Sequence, residues 1–269
     1  MKIILWVGNE PNQRALANKI HEKFGLAGII TESRNNKRTI SISKIVSKII
    51  EKLFIPTIDN AWLKMKLFYQ KNYPEYPSVP ILDVENINSD NAYEFTRSIC
   101  PDLIVVSGTR LIKEKMLSLN PSIGIINLHT GLSPYVKGGP NCTNWCISSN
   151  NMHLIGNTVM WIDKNIDSGN ILTSEILRFD TKETLNTLHL KVMEHAHYLM
   201  NKAILYVSKG GRNSVSQSSI AQGKTYYTKE WTLQQKFSLK RNLRRMQQTS
   251  KNEDLKELRT KIVTIRIDD

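Results

Sequence analysis

Short apolar runs alternate with amphipathic stretches along most of the chain. The apolar runs, rich in Ile, Leu and Val, predict strands at 2–7, 27–31, 79–84, 103–107, 125–128, 155–162 and 171–177. Helical periodicity predicts helices at 14–24, 88–99, 144–149 and 184–208, and a mostly helical segment at 40–69 that Pro56 should interrupt. Alternating strands and helices predict an α/β fold, with a mostly parallel Rossmann-like sheet and helices on both faces.

Composition and charge narrow the possible partners. The net charge of +13 indicates an anionic partner, which could be nucleic acid, a phosphorylated small molecule or a membrane surface. No apolar run is long enough to span a bilayer. The apolar N-terminus is too short for a signal peptide, so we expect a cytoplasmic protein.

The three cysteines are an odd number in a large chain, which does not favour a disulfide framework. Cys142 and Cys146 are four residues apart, a spacing that matches no common zinc pattern. We therefore expect buried free thiols and no metal site.

The candidate chemistry is concentrated between residues 125 and 172. Asn127 and His129 end an apolar strand, and because they are two residues apart they should point to the same side, with Leu128 pointing into the core. Polar side chains at the end of a buried strand are a typical place for chemistry in an open α/β sheet.

This region resembles the folate-dependent formyltransferase family, and most closely its nucleotide-sugar N-formyltransferases. The resemblance rests on Asn-x-His at 127–129, Gly-Leu-x-Pro-Tyr at 131–135, a Gly-rich turn at 138–140 and Asp-x-Gly-x-Ile beginning at Asp167. It covers residues 79–210, with a weaker match at the N-terminus. It implies 10-formyltetrahydrofolate as co-substrate and Asn127, His129 and Asp167 as the catalytic set.

Formyl transfer requires a donor for an oxyanion and an acceptor for an amine proton. His129 could serve as a base or, when protonated, as a donor, and Asn127 could donate without ionising. Asp167 could orient His129, raise its pKa, or relay the amine proton. Asp163 competes for the acidic role, but only Asp167 lies in the family context, so Asp163 is assigned to the loop around the folate.

The resemblance also implies ligand contacts elsewhere in the chain. The loop with Arg110, Leu111 and Ile112 would hold the pterin ring, although it could instead be a plain helix start. Asn9, Asn12 and Gln13 would contact the acceptor, although a polar turn that caps a helix is an equal alternative. The Gly-x-Gly-x-x-Gly fingerprint is absent, so no dinucleotide cofactor is expected.

The chain is expected to have three parts. Residues 1–210 would form the catalytic domain, with a helical insertion at 40–75. A Ser- and Gln-rich linker would follow at 211–222, and then a small basic C-terminal appendage at 223–269. The appendage is small for an independent barrel.

The favoured acceptor is the amine of a nucleotide-linked amino sugar, a precursor of O-antigen lipopolysaccharide or a similar glycan. The Thr130-Gly131 pair and the 138–141 loop resemble the sugar-modifying branch. A methionyl-tRNA formyltransferase-like activity is the alternative, since the basic tail keeps tRNA open as a partner. A non-enzymatic nucleic-acid-binding protein is the third hypothesis. A homodimer through the tail also stays open.

Overall fold

The computed structural model describes residues 1–34, 42–165, 167–248 and 252–267. Its strands in this part of the chain are β1 (Ile3–Gly8), β2 (Gly28–Glu32), β3 (Ile81–Val84), β4 (Leu103–Ser107), β5 (Gly124–His129), β6 (Val136–Gly138), β7 (Gly156–Trp161), β8 (Ile171–Ile176) and β9 (Lys224–Tyr226). Seven of them form one sheet in the order β3-β2-β1-β4-β5-β7-β8. Strands β1 to β5 are parallel, and β7 and β8 extend the sheet in antiparallel fashion. The predicted α/β fold is confirmed.

The helices in the described residues are α1 (Pro11–Phe24), α2 (Ile42–Phe54), α3 (Pro56–Asn72), α4 (Asp90–Ile99), α5 (Glu114–Leu117), α6 (Cys142–Ser148), α7 (Leu185–Ser208), α8 (Leu233–Gln248) and α9 (Asn252–Thr260). The predicted break at Pro56 is confirmed, because α3 begins there. Residues 40 and 41 of the predicted 40–75 segment lie outside the described residues. None of the described helices combines the length and apolar character needed to cross a bilayer.

Helix α1 begins earlier than the predicted residue 14. Proline has no backbone N–H and a fixed φ, so Pro11 fits the first helical position, where no N–H bond is needed. Asn12 and Gln13 therefore lie in the first turn of α1 and not in a free loop, and both are buried. This start fixes where their side chains can reach.

The sheet is covered on both faces, as strand alternation requires. Ile3 and Leu5 of β1 pack with side chains of α1 and α7, whereas Ile4 and Trp6 pack on the other face with α4 and α5. All four side chains are fully buried. Burying each one contributes roughly 1.5–3 kcal/mol. The sheet is thus a rigid support for the loops at its edge.

The C-terminal part of the chain returns to the sheet and to the loops beside it. Val215 exchanges backbone hydrogen bonds with Ile171 at 2.8 and 2.9 Å. Strand β9 pairs in parallel with β6, α8 packs on α6, and the Ile265 carbonyl accepts from the backbone N–H of Ser174 at 2.7 Å. Residues 211–248 and 252–267 therefore form part of the surroundings of the loops that follow β5 and β7.

Candidate active site

A cavity of about 640 Å³ lies at the carboxyl ends of β1, β4 and β5. This edge is where open α/β sheets bind ligands. All but one of the predicted site residues line it, namely Asn12, Gln13, Arg110, Leu111, Ile112, Asn127, His129, Asp163 and Asp167. The exception is Asn9, which borders a neighbouring cavity, where its amide donates to Ser33 Oγ at 2.8 Å.

Asn127, His129 and Asp167 form one contact cluster. Asn127 and His129 extend from the same side of β5, and Asp167 approaches them from the loop between β7 and β8. The Asn127 amide donates to Asp167 Oδ1 at 3.4 Å, and His129 Nδ1 lies 3.4 Å from Asp167 Oδ2. The carboxylate therefore lies against both side chains of the predicted pair.

Asp167 is held in an unusual backbone conformation. Its φ is +46°, in the left-handed region that few residues other than glycine adopt, although Asp and Asn are among those that do. The Gly138 N–H donates to Asp167 Oδ2 at 3.0 Å, and the Gln217 amide donates to the Asp167 carbonyl at 2.8 Å and to the Gly169 carbonyl at 2.9 Å. Gly138 thus holds the side chain of Asp167, and Gln217 holds its backbone.

His129 is protonated in this environment. Burial alone would lower its pKa, but the Asp167 carboxylate, Cys142 and the Val136 carbonyl outweigh burial and raise the pKa to about 10. The geometry agrees, because Nε2 lies 3.1 Å from the Val136 carbonyl, which can only accept, and Nδ1 faces the carboxylate. Both ring nitrogens therefore carry hydrogen, and the ring is an imidazolium.

Cys142 is a neighbour of His129 that the sequence did not indicate as part of the site. Its sulfur lies 3.6 Å from His129 Nε2 and donates to the Gly138 carbonyl at 3.5 Å. Cys142 and Cys146 are both free and buried, as predicted. Within the described residues, no group of three or more His, Cys, Asp or Glu side chains is arranged to hold a metal ion.

The loop with Arg110, Leu111 and Ile112 is anchored by Glu32, whose side chain is fully buried at the end of β2. Glu32 accepts from the Arg110 backbone N–H at 2.9 Å, from Arg110 Nη1 at 3.0 Å and from the Ile87 N–H at 3.0 Å. Leu111 is half exposed, and Ile112 is buried. The loop is therefore pre-ordered, and the Arg110 guanidinium is held by the protein.

Asp163 has a local role in the loop that carries Asp167. Its carboxylate accepts from Ser168 Oγ at 2.7 and 2.9 Å and from the Asn165 N–H at 3.0 Å. It thus folds the loop back on itself while bordering the cavity. None of these hydrogen bonds joins Asp163 to His129.

The first turn of α1 contains buried polar atoms without partners. Asn12 Oδ1 and Gln13 Oε1 are buried and accept no hydrogen bond, which is uncommon for buried polar atoms. Trp62 of α3 and Tyr227, just after β9, also line the cavity. The sequence did not indicate Trp62, Tyr227 or Gln217, the residue whose amide holds the Asp167 loop. These three residues come from segments distant in sequence, and no local motif connects them to the site.

Three further histidines lie on α7 and do not enter the cavity. Burial lowers the pKa of His189 to about 4 and that of His197 to about 3. His189 contacts Asn144 Oδ1 at 2.9 Å, and His195 lies 3.2 Å from Glu175. The contacts given for His189 and His195 are made to residues that do not include Asn127, His129 or Asp167.

The α/β fold and the cluster of Asn127, His129 and Asp167 together define a group-transfer site. Proteins with this combination are known. A family model described as formyl transferase matches residues 3–204 of the 269-residue chain. The chain belongs to the formyl transferase family. The resemblance inferred from its motifs is therefore confirmed.

Among curated proteins, the chain is similar to the methionyl-tRNA formyltransferase of Clostridium tetani, with 33% identity over 128 residues. That match covers 47% of this chain and 41% of the relative, so the chain spans less than half the length of this curated relative. The match therefore concerns the shared domain and not the whole relative.

Solved structures share the fold at low identity. The N-formyltransferase of Helicobacter canadensis, in complex with folinic acid and dTDP-3-aminofucose, has a TM-score of 0.53 and 15% identity over 90% of this chain and 81% of that one. Phosphoribosylglycinamide formyltransferase from Bacillus halodurans has a TM-score of 0.53 and 18% identity over 78% of this chain and 97% of that one. The Helicobacter canadensis enzyme thus overlaps with more of this chain than the Bacillus halodurans enzyme does.

Proposed function

We propose that the protein transfers a formyl group from 10-formyltetrahydrofolate to the primary amine of a nucleotide-linked amino sugar. The observation that carries the proposal is the cluster of Asn127, protonated His129 and Asp167, which lines a cavity of about 640 Å³. A fixed cation, an amide donor and a carboxylate within contact distance are the groups that acyl transfer to an amine needs.

The reaction places opposite charges on two atoms at once. When the acceptor amine attacks the formyl carbon, a new carbon–nitrogen bond forms, the carbon's bond to N10 breaks, and the amine proton ends on N10. Asn127 uses one amide hydrogen on Asp167, which leaves the other for the developing oxyanion. His129 stabilises the same negative charge as a cation, so Asp167 is the group that takes the amine proton, directly or through water.

The residues around the loop after β4 fit a folate. Ile112 and Ile162 supply an apolar lining, and the backbone after β4 and Asp163 supply polar groups beside it. When bound there, the folate supplies the formyl carbon. Its ring would be held by the loop of Arg110, Leu111 and Ile112, which Glu32 keeps ordered in advance.

An acceptor rich in hydroxyl groups suits the polar and aromatic residues of the cavity. The side-chain amides of Asn12 and Gln13 would form hydrogen bonds with sugar hydroxyl or amine groups, and Trp62 or Tyr227 offers a ring face for a nucleobase. The bound dTDP-3-aminofucose of the Helicobacter canadensis relative, which overlaps with 90% of this chain, supports this class of acceptor. A role in glycan-precursor synthesis, such as that of lipopolysaccharide, follows as part of the proposal.

A methionyl-tRNA acceptor is the second candidate. The curated relatives with this activity are 27–33% identical to the chain, and α8 carries five basic residues and no acidic one. The matched segments cover about half of this chain. The candidate therefore rests on the shared domain and on charge.

The acceptor can be identified directly by mass spectrometry. The protein is mixed with 10-formyltetrahydrofolate and either a panel of nucleotide-linked 3-amino and 4-amino sugars or charged initiator tRNA. We expect one formyl group on one amino sugar and none on the matched nucleotide sugar that carries a hydroxyl in place of the amine. Formylation of tRNA alone would establish the second candidate, and no transfer to any acceptor despite folate binding would reject both.

A further inference from the structure

Helix α2 turns its apolar side to solvent. Ile45, Val46, Ile49, Leu53 and Phe54 are each 46–69% exposed. At 3.6 residues per turn, these five side chains share one half of the helix circumference. A surface helix of a globular protein normally buries such a stripe against the core, so this exposed face requires an explanation.

The contacts of α2 with α8 fix this orientation. Glu51, on the polar side of α2, pairs with Lys236 of α8. Lys240 of α8 donates from Nζ to the Phe54 carbonyl at 2.7 Å. Because the polar side faces the protein, the apolar stripe must face outward. The exposure therefore results from specific pairing of the two helices.

The neighbourhood of the stripe is cationic. Helix α8 contains five Lys and Arg residues and no acidic residue, and its Arg241 and Arg244 are exposed. Lys48 and Lys52 are exposed on α2 itself. An apolar stripe beside a row of cations is the combination by which peripheral helices bind anionic lipid surfaces.

We propose that α2 and α8 together dock the protein on the anionic surface of a phospholipid membrane. The apolar stripe would lie at the boundary between headgroups and acyl chains, and Arg241 and Arg244 would contact lipid phosphates. A nucleic acid would engage the cations but leave the five apolar side chains in water. A second copy of the chain would bring two cationic α8 regions near each other.

Vesicle flotation with the full chain tests the docking. We expect the protein to float with phosphatidylcholine vesicles that contain phosphatidylglycerol, and at least tenfold less with phosphatidylcholine alone. Raising the salt concentration should weaken the binding, because salt screens the contribution of the cations. Equal recovery with both vesicles, or none with either, would overturn the proposal.

Variants separate the two contributions. The Ile49→Asp/Leu53→Asp variant should lose at least tenfold in vesicle binding, and Arg241→Glu/Arg244→Glu should lose the preference for anionic lipid. The control is Leu205→Asp, at an exposed apolar position of α7, which should bind like the unmodified protein. None of these residues lines the cavity, so formyl transfer to a water-soluble acceptor should be unchanged.

Sedimentation of the same variants distinguishes a self-association face. If Ile49→Asp/Leu53→Asp converts a dimer to a monomer while vesicle binding stays as it was, the stripe is an interface between copies and the membrane proposal is wrong. Retained anionic-vesicle binding in that variant would overturn the proposal in any oligomeric state.

Discussion

The side-chain amide of Gln217 donates to the backbone carbonyl of Asp167 at 2.8 Å, across fifty residues of sequence. The same amide nitrogen donates to the Gly169 carbonyl at 2.9 Å. Asp167 has a φ of +46°, so its loop adopts a conformation that needs support from its surroundings. Gln217, which is 6% exposed, provides this support from outside the loop.

Replacing Gln217 should therefore impair catalysis through Asp167. We expect Gln217→Ala to lower kcat roughly tenfold or more with a smaller effect on KM, and to cost about 1–3 kcal/mol of stability, because two buried carbonyl groups lose their donor. Steady-state kinetics and chemical denaturation measure the two effects. The control Ser219→Ala changes an exposed residue two positions away and should be neutral. An unchanged kcat in Gln217→Ala would show that Asp167 does not need the hydrogen bonds from Gln217.

The charge on His129 should depend on Asp167. Because the Asp167 carboxylate opposes the effect of burial, Asp167→Asn should lower the pKa of His129. In the unmodified protein, NMR titration of the His129 ring should show a protonated imidazole well above pH 7, with a pKa of about 10. The control Asp180→Asn removes an exposed carboxylate that does not line the cavity and should leave the titration unchanged. A His129 ring that titrates near 6.5 in the unmodified protein would contradict the assignment.

The same group should make stability depend on pH. Folding raises the pKa of His129 from its ordinary value of 6.5 to about 10, so the folded state holds the proton more tightly than the unfolded state. This stabilisation is complete below pH 6.5 and is lost as the pH rises from 6.5 to about 10. The free energy of unfolding, measured in urea across this range, should fall with pH, and Asp167→Asn should flatten the slope.

Asn127 should contribute to the transition state more than to binding. We expect Asn127→Ala to lower kcat by about 10²–10³ with little change in folate affinity, because one oxyanion donor is removed. Formyl transfer is followed by mass spectrometry and folate binding by calorimetry. The control is Asn170→Ala, at an exposed position. If the two variants have equal activity, Asn127 has no catalytic role.

Glu32 should influence folate affinity by holding the loop of Arg110, Leu111 and Ile112 in place. Glu32→Gln keeps the size of the side chain but removes the charge that holds Arg110, so we expect folate binding to weaken roughly tenfold and stability to fall by about 1–3 kcal/mol. The matched change Glu94→Gln breaks an exposed ion pair with Arg97 and should cost less than about 1 kcal/mol. Folate affinity that is unaffected in Glu32→Gln would separate the loop from the folate site.

The local pattern of apolar and polar residues was sufficient to predict the strands of the sheet and the direction of the side chains in β5. Apolar periodicity predicted the seven strands of the sheet, because a strand buried on both faces must be continuously apolar. Alternation placed Asn127 and His129 on one side, and the structure has both of them at the cavity. The start of α1 was missed because proline, usually a helix breaker, is favoured at the first helical position.

The remainder of the site depends on contacts between residues distant in sequence, which no periodic pattern predicts. Gln217 lies in a Ser- and Gln-rich stretch that composition predicts to be a linker, yet it bonds to the Asp167 loop. Trp62 lines the cavity from a segment predicted only as a helical insertion. Such contacts follow from the packing of whole elements, which a single sequence does not reveal.

The pairing of β6 with β9 has a consequence for the order in which the protein is made. The loop before α6 and the loop that carries Asp167 leave the ribosome well before Gln217 and Tyr226, which hold them in place. Since chains fold from the N-terminus during synthesis, the sheet can form while the loop that carries Asp167 still lacks its support. A nascent chain should therefore become competent only after Gln217 and β9 have emerged.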